Sequence, residues 1–264
     1  MDTTINFKDF ELLAQDKYTF AVLDRILRGK CDLTISNHQN MILCHSDAPY
    51  PVWIWTIDGC PESVKEEAWE LAAEYRPLNS GFRFNMKYEL AEYFINKARQ
   101  TNLNVGISMQ LCAYDCPFPI PPTQSADGKL HCCTHEDTEL TANFIAAFCE
   151  DIGEEISSSY MEKASAYIDE NAFFFWKNAD GKPIACCSYK CNQGLASLGS
   201  VYTLPEYRRN HYAQHLVYRV TEKVKAMGFM PMLYTDADYL ASNSCYTKIG
   251  YELRGRLCTI SLQQ

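Results

Sequence analysis

The sequence has no long hydrophobic run. Apolar stretches such as AFFFW at Ala172–Trp176 and PVWIW at Pro51–Trp55 fall far short of the roughly 20 residues that a spanning helix needs. No membrane partner is therefore expected. Basic charge is also scarce: 24 Lys and Arg stand against 33 Asp and Glu, a net charge of −9. That balance argues against a nucleic-acid or polyanion binder and leaves room only for a small basic pocket. The opening, MDTTINFKDF, carries acids early and no apolar run, so a secretory leader is not expected and the reading is cytoplasmic. The N-terminal half lacks a glycine-rich loop, a nucleophile elbow and a metal motif. Cysteine is the exception to this scarcity. There are 13, an odd number, scattered rather than spaced as a disulfide framework, with two adjacent pairs at Cys132–Cys133 and Cys186–Cys187. In a reducing compartment such residues serve mostly as small buried apolar side chains. Cys112, Cys116, His131, Cys132, Cys133 and His135 lie near one another, but their spacing fits no zinc motif, and no metal is expected.

Hydrophobic residues make up 47% of the chain, ample for a full core. The stretch DCPFPIPPTQSADGKLHCCTHEDTE holds four prolines followed by Ser, Asp and Gly, with little periodic pattern, and reads as a boundary. The expected organisation is an N-terminal mixed α/β domain over residues 1–115, a linker over 116–136 and a second domain over 137–264. In the first, a helix is expected over Asp9–Leu27, ended by Gly29, then strands at Asp32–Asn37, Met41–His45 and Val52–Asp58. A helix at Glu62–Tyr75 starts at Pro61. A strand in FRFNM, a helix at Glu89–Arg99 and a strand at Val105–Cys112 complete it.

The second domain begins with two helices. The first carries Leu140, Phe144, Ile145, Phe148 and Ile152 at helical spacing; the second runs from about Ser159 to Asp169. Three strands follow as a meander, AFFFWK, PIACCSYK and LASLGSVYTL, with an Asp180–Gly181 hairpin turn. Ala213, Leu216, Val217, Val220, Val224 and Met227 then mark an amphipathic helix stopped by Gly228. A strand in PMLYTDA, a short helix in SNSCYTKIG and a final strand in YELRGRLCTISL close the chain. Two arginines, Arg208 and Arg209, stand where a strand turns into the amphipathic helix. A basic turn at a helix N-terminus can hold an anion, although an ordinary solvated turn has the same composition.

This order of elements, together with VYTLPEYRRNHYAQHL and LYTDADYLASNSCYTKIGYE, resembles the GNAT acyltransferase superfamily over roughly residues 137–264. Ser242, Asn243, Tyr246, Lys248, Ile249, Gly250 and Tyr251 keep the second motif. The first motif departs from the family pattern Arg/Gln-x-x-Gly-x-Gly/Ala. Arg208 and Ala213 keep its ends, His211 stands at the glycine position, and Arg209 stands where many members also carry glycine. The resemblance implies a mixed, mostly antiparallel central sheet flanked by helices, acetyl-CoA or another acyl-CoA as cosubstrate, and no metal. It also implies that the loop Arg208, Arg209, Asn210, His211, Tyr212 and Ala213 wraps the cofactor diphosphate. Glycine would allow close approach and positive φ there. Either Arg208, Arg209 and His211 compensate with charge-assisted bonds, or the loop is degraded.

By the same resemblance, Val201, Tyr202 and Thr203 line the pantetheine arm with main-chain groups, and Asn243 bonds the cofactor. Asn243 or Ser242 would equally serve as a helix N-cap. Tyr246 is the expected catalytic acid, since a phenol is protonated at neutral pH and can donate to a departing thiolate; the plain alternative is a packed aromatic. No acid occurs in LASLGSVYT, leaving Asp236, Asp238, Glu206, Glu170 or a water relay as the base. Cys245 has no paired histidine and is not expected to be a nucleophile. The expected activity is N-acyl transfer from acyl-CoA to a small amine by direct transfer in a ternary complex. The alternative is a GNAT-fold CoA-binding or interaction protein with impaired catalysis.

Overall fold

The computed structural model describes residues 3–153 and 159–263. It divides into two compact units. One takes in the chain up to Ala113, Thr235–Asp238 and the stretch from Arg254 onward; the other takes in Tyr114–Tyr234 and Tyr239–Leu253.

The first unit contains helices α1 (Phe7–Leu13), α2 (Ala21–Arg28), α3 (Glu62–Tyr75) and α4 (Tyr88–Gln100). Its strands are β1 (Leu33–Ser36), β2 (Met41–His45), β3 (Val52–Thr56), β4 (Phe84–Met86) and β5 (Val105–Asp115), joined by the C-terminal β11 (Glu252–Leu262). The strand order is β1-β2-β3-β4-β11-β5. The β1–β2, β2–β3 and β4–β11 pairs are antiparallel, and β3–β4 is parallel. Strands β2 and β3 read MILCH and VWIWT and are buried along their whole length, as uninterrupted apolar runs require. Helix α3 buries Val64, Ala68 and Ala72, one residue per turn, while α4 turns Leu90, Ala91, Phe94 and Ala98 inward. Both faces enter one core with Ile54, Phe84 and Ile260.

The helix expected over Asp9–Leu27 is two helices separated by a short 3₁₀ turn at Ala14–Asp16 and a further turn. Tertiary contacts override the periodicity there. The Asp16 carboxylate accepts from Trp55 Nε1 at 2.8 Å and Lys87 Nζ at 2.6 Å. Thr19 lies so close to Gly255 that a Cβ at that glycine would fall 2.1 Å from its hydroxyl. Gly29 ends α2 as expected.

The second unit contains α5 (Thr138–Asp151), α6 (Tyr160–Asp169), α7 (Tyr212–Ala226) and α8 (Leu240–Ile249). Its strands are β6 (Lys129–Cys132), β7 (Phe173–Lys177), β8 (Pro183–Asn192), β9 (Leu195–Thr203) and β10 (Met230–Asp236). The order is β10-β9-β8-β7-β6, antiparallel throughout except for β9–β10. Residues 116–136, read in sequence as a linker, hold β6, which pairs with β7 from Lys129↔Lys177 to Cys132↔Phe174. Gly128 makes this entry possible: at φ +95° it passes so close to Lys177 that a Cβ would meet its carbonyl at 2.1 Å. One sheet face carries α7 and α8 over Leu198, Leu216, Val220, Leu233 and Ile249. The other carries α5 and α6 over Phe173, Phe175 and Tyr202. No helix among the described residues is long and apolar enough to cross a membrane.

Candidate functional site

The site grows from a failure of strand pairing. Parallel pairing of β9 with β10 runs from Leu195↔Met230 to Leu198↔Leu233 and stops, although β9 continues to Thr203. At the same place the β8–β9 register shifts between Cys186 and Ser188, and Ser200 takes φ +48°. Such a bulge bends the strand and re-aims its main-chain groups. The Leu204 N–H bonds the Ile184 carbonyl, so by strand alternation the main chain of Tyr202 faces β8 and that of Val201 and Thr203 faces away from it. The Thr203 carbonyl accepts from Arg208 Nε at 3.0 Å. The Thr203 hydroxyl oxygen is buried and makes no hydrogen bond.

Beyond β9, a 3₁₀ turn at Pro205–Tyr207 leads to the loop before α7. Arg209 sits at φ +65° and His211 at φ +62°. Both positions that glycine would favour are thus left-handed, at a cost of about 1–3 kcal/mol for each non-glycine residue. His211 is the N-cap of α7 and makes no side-chain cap bond. The residues between them are anchored. Asn210 Nδ2 donates to the Tyr207 and Arg208 carbonyls, each at 3.2 Å. The Tyr212 hydroxyl donates to Asp127 Oδ1 at 2.5 Å, and His215 Nε2 lies 2.7 Å from the Gln124 carbonyl. The Asp127 carboxyl is held below its usual range by the Tyr212 hydroxyl and the Ala179 N–H. Ala213 enters α7 in its first turn.

Arg208 does not project into this loop as a free phosphate ligand. Its guanidinium pairs with Asp151 Oδ1 at 2.8 Å and lies 5.4 Å from the Tyr202 ring centroid. That pairing, chiefly the bond to Asp151, pushes its pKa up further.

Helix α8 begins at Leu240, not at Ser242, with Tyr239 as N-cap. Asn243 is therefore interior, and the cap role open to it and to Ser242 in sequence is excluded. Its Nδ2 donates to the Tyr239 carbonyl at 3.1 Å, and its Oδ1 accepts from Tyr114 at 3.4 Å. Tyr246 is 6% exposed, in the core with Tyr251 at 5.9 Å between ring centroids. Burial drives its pKa well above the ordinary phenol value, helped by Cys245 and Cys187 and opposed by a bond from Ser242. It is fully protonated at neutral pH and a weak proton donor. Cys245 is pushed up to about 11 by burial, which leaves it a thiol rather than a nucleophilic thiolate.

The four base candidates are dispersed along the fold. Asp236 and Asp238 line a shallow pocket of the first unit with Ser108 and Gln110, and Gln110 Nε2 lies 3.2 Å from Asp238. Glu206 lies 3.8 Å from Lys182. Glu170 caps the end of α6. In the Cys/His segment, His131 lies 2.8 Å from Asp137 and His135 3.4 Å from Asp169, and Cys112, Cys116, Cys132 and Cys133 are free thiols. Among the described residues no group of three or more His, Cys, Asp or Glu is placed to hold a metal. Asp127 and Asp151 are missed by sequence reasoning. No local pattern marks them, because their partners lie 85 and 57 residues away.

Residues 139–251 match the family model described as Acetyltransferase (GNAT) family. No curated protein matches the chain in sequence. An acetyltransferase from the GNAT family of Colwellia psychrerythraea is similar in structure with a TM-score of 0.61 at 12% identity, over 99% of each chain. A GCN5-related N-acetyltransferase from Kribbella flavida gives 0.64 at 14% identity, over 93% of this chain and 94% of its own. A Drosophila protein gives 0.66 at 15%, over 98% and 90%. At such identities these likenesses describe the fold, and they extend it over nearly the whole chain. Residues 139–251 are a GNAT acetyltransferase-family domain.

Proposed function

We propose that the protein is an acyl-CoA-dependent N-acyltransferase acting on a small amine by direct transfer in a ternary complex. One observation carries the reading. Arg209 and His211 adopt the left-handed backbone of the missing glycines, directly before the N-terminus of a 15-residue helix and beyond a strand that parts from its parallel neighbour. Main-chain N–H groups at a helix start, aided by the helix dipole, suit a diphosphate. The buried, unbonded Thr203 hydroxyl and the outward main chain of Val201 suit a polar, extended arm beside β9. Acetyl-CoA or another acyl-CoA would supply the activated acyl group. Arg209, Asn210, His211, Tyr212 and Ala213 would hold the diphosphate through the backbone, with the Arg209 side chain as the charged contact. Arg208 would support the loop from behind.

Tyr246 would be the residue on α8 that protonates a departing thiolate: its hydroxyl carries a proton at neutral pH, although burial makes it a weaker acid than an ordinary phenol. Asn243 would orient the same helix through its bonds to Tyr239 and Tyr114. Asp236, Asp238, Glu206 and Glu170 remain the side chains able to take a proton from the amine, directly or through water. A cytoplasmic location is part of this proposal, since 13 scattered cysteines suit a reducing compartment.

A second reading is favoured by the burial of Tyr246: a CoA-binding or interaction protein with impaired turnover. A weak, enclosed acid and a strand without a carboxylate both suit it. The two readings separate in one experiment. Thermal unfolding and calorimetry with CoA and acetyl-CoA, followed by an amine screen that detects released thiol, give binding with turnover for the first. Binding with no turnover on any amine gives the second, and no binding defeats both.

A further inference from the structure

Helix α5 ends in Glu150 and Asp151 and carries no basic residue in its last turn. Acids at a helix C-terminus are locally unfavourable, because the carbonyl end of the helix is already negative. The charge of Asp151 therefore gains nothing from the dipole of its own helix. Its carboxylate instead meets Arg208 at 2.8 Å, and Arg208 also donates to the Thr203 carbonyl at 3.0 Å and lies over Tyr202. Next to this clamped residue the chain takes φ +65° at Arg209, is tied back at Asn210, and takes φ +62° at His211. Residues with bonded side chains thus alternate with the residues in unfavourable backbone conformations. Such conformations persist only where the surroundings over-determine them.

We infer that Asp151 is a positioning residue for the diphosphate loop: through Arg208 it holds Arg209 and His211 in the backbone conformation that glycine would adopt unaided. The inference rests on the proposed CoA-binding role of the loop. It assigns to this chain a side-chain latch in place of glycine. In this role Asp151 acts through Arg208. The pair is partly solvated, with side chains 35% and 33% exposed. Exposed pairs contribute up to about 1 kcal/mol, so removal should weaken loop-dependent binding by up to about fivefold.

The test uses the full chain with Asp151→Ala, Asp151→Glu and the Arg209→Gly/His211→Gly pair, alone and combined with Asp151→Ala. Two quantities are read: amide hydrogen exchange over residues 207–213 without ligand, and CoA affinity by calorimetry. Asp151→Ala should speed exchange in the loop and weaken CoA binding roughly three- to fivefold, with the melting temperature little changed because the helix loses an unfavourable charge. Asp151→Glu should recover most of both. In the double-glycine background, Asp151→Ala should cost less than about twofold. Unchanged exchange and affinity in Asp151→Ala overturn the inference while CoA binding by the parent keeps the functional reading. An equal penalty in both backgrounds also overturns it, since Asp151 would then act independently of the glycine-like backbone. Faster exchange, reversed by the glycines, in a parent that does not bind CoA supports the latch and defeats the functional reading.

Discussion

The loop before α7 and the helix α8 invert what their sequences suggest. The loop lacks both glycines of the pattern it resembles, yet Arg209 and His211 reproduce the left-handed backbone that glycine would supply. Helix α8 keeps its motif residue for residue, yet Tyr246 is 6% exposed and its hydroxyl is engaged by Ser242. A motif residue is a proxy for a physical requirement. Where the requirement is a backbone angle, tertiary bonds can meet it with another side chain. Where the requirement is an exposed functional group, the right residue at the right spacing does not guarantee it.

The largest expected effect tests the α8 side of this comparison. If Tyr246 donates a proton, Tyr246→Phe should lower kcat by about 10²–10⁴-fold while leaving CoA affinity and the unfolding midpoint nearly unchanged. If it only fills the core, Tyr246→Phe should be nearly silent in turnover, and Tyr246→Ala should lose stability by about 3–5 kcal/mol in denaturant unfolding, as a buried aromatic does. A smaller effect tests the loop. CoA at about one hundred times its dissociation constant should raise unfolding free energy by about 2.7 kcal/mol. Replacing His211 by glycine should preserve that gain, and the variant itself should be slightly more stable. The strain released, about 1–3 kcal/mol, exceeds glycine's entropic cost of roughly 0.5–1 kcal/mol. A His211→Gly protein that loses stability would show that the histidine ring, not the backbone angle, is what the site needs.

The smallest effect is a pH dependence confined to the loop. Asp127 has its carboxyl pKa lowered by Tyr212 and the Ala179 N–H, so its anchoring is present above the ordinary aspartate value of 3.8 and is lost as pH falls through the lower folded value. Hydrogen exchange should therefore loosen residues 207–213 below about pH 4, and Asp127→Asn should flatten that response. The α8 segment should show no matching transition, since its tyrosine titrates only far above neutrality.

Local chemistry was legible wherever it decided the outcome. Pro61 and the Val64, Ala68, Ala72 spacing yield a helix over Glu62–Tyr75 with the expected ends, and Gly181 takes φ +80° in the Asp180–Gly181 turn. The order of elements from α5 to β11 follows the same logic. Long-range contacts were not legible. Trp55, Lys87 and Gly255 break the first expected helix at Asp16–Thr19, and none is near it in sequence. The pairing of β6 with β7 orders part of a proline-rich stretch that has no periodicity of its own. At the site, Arg208 and His211 stood out in sequence, but Asp151 and Asp127, which decide what those residues can do, are ordinary acids until the chain folds.

The most direct test of the central claim, that a glycine-free loop cradles a diphosphate, is calorimetric titration of the protein with CoA and with pantetheine, which lacks the diphosphate. The account predicts saturable one-to-one binding of CoA that weakens with rising salt, and binding of pantetheine at least about tenfold weaker, a difference of 1.4 kcal/mol or more. Equal affinity for the two compounds, or no heat with CoA at millimolar concentration, would contradict it.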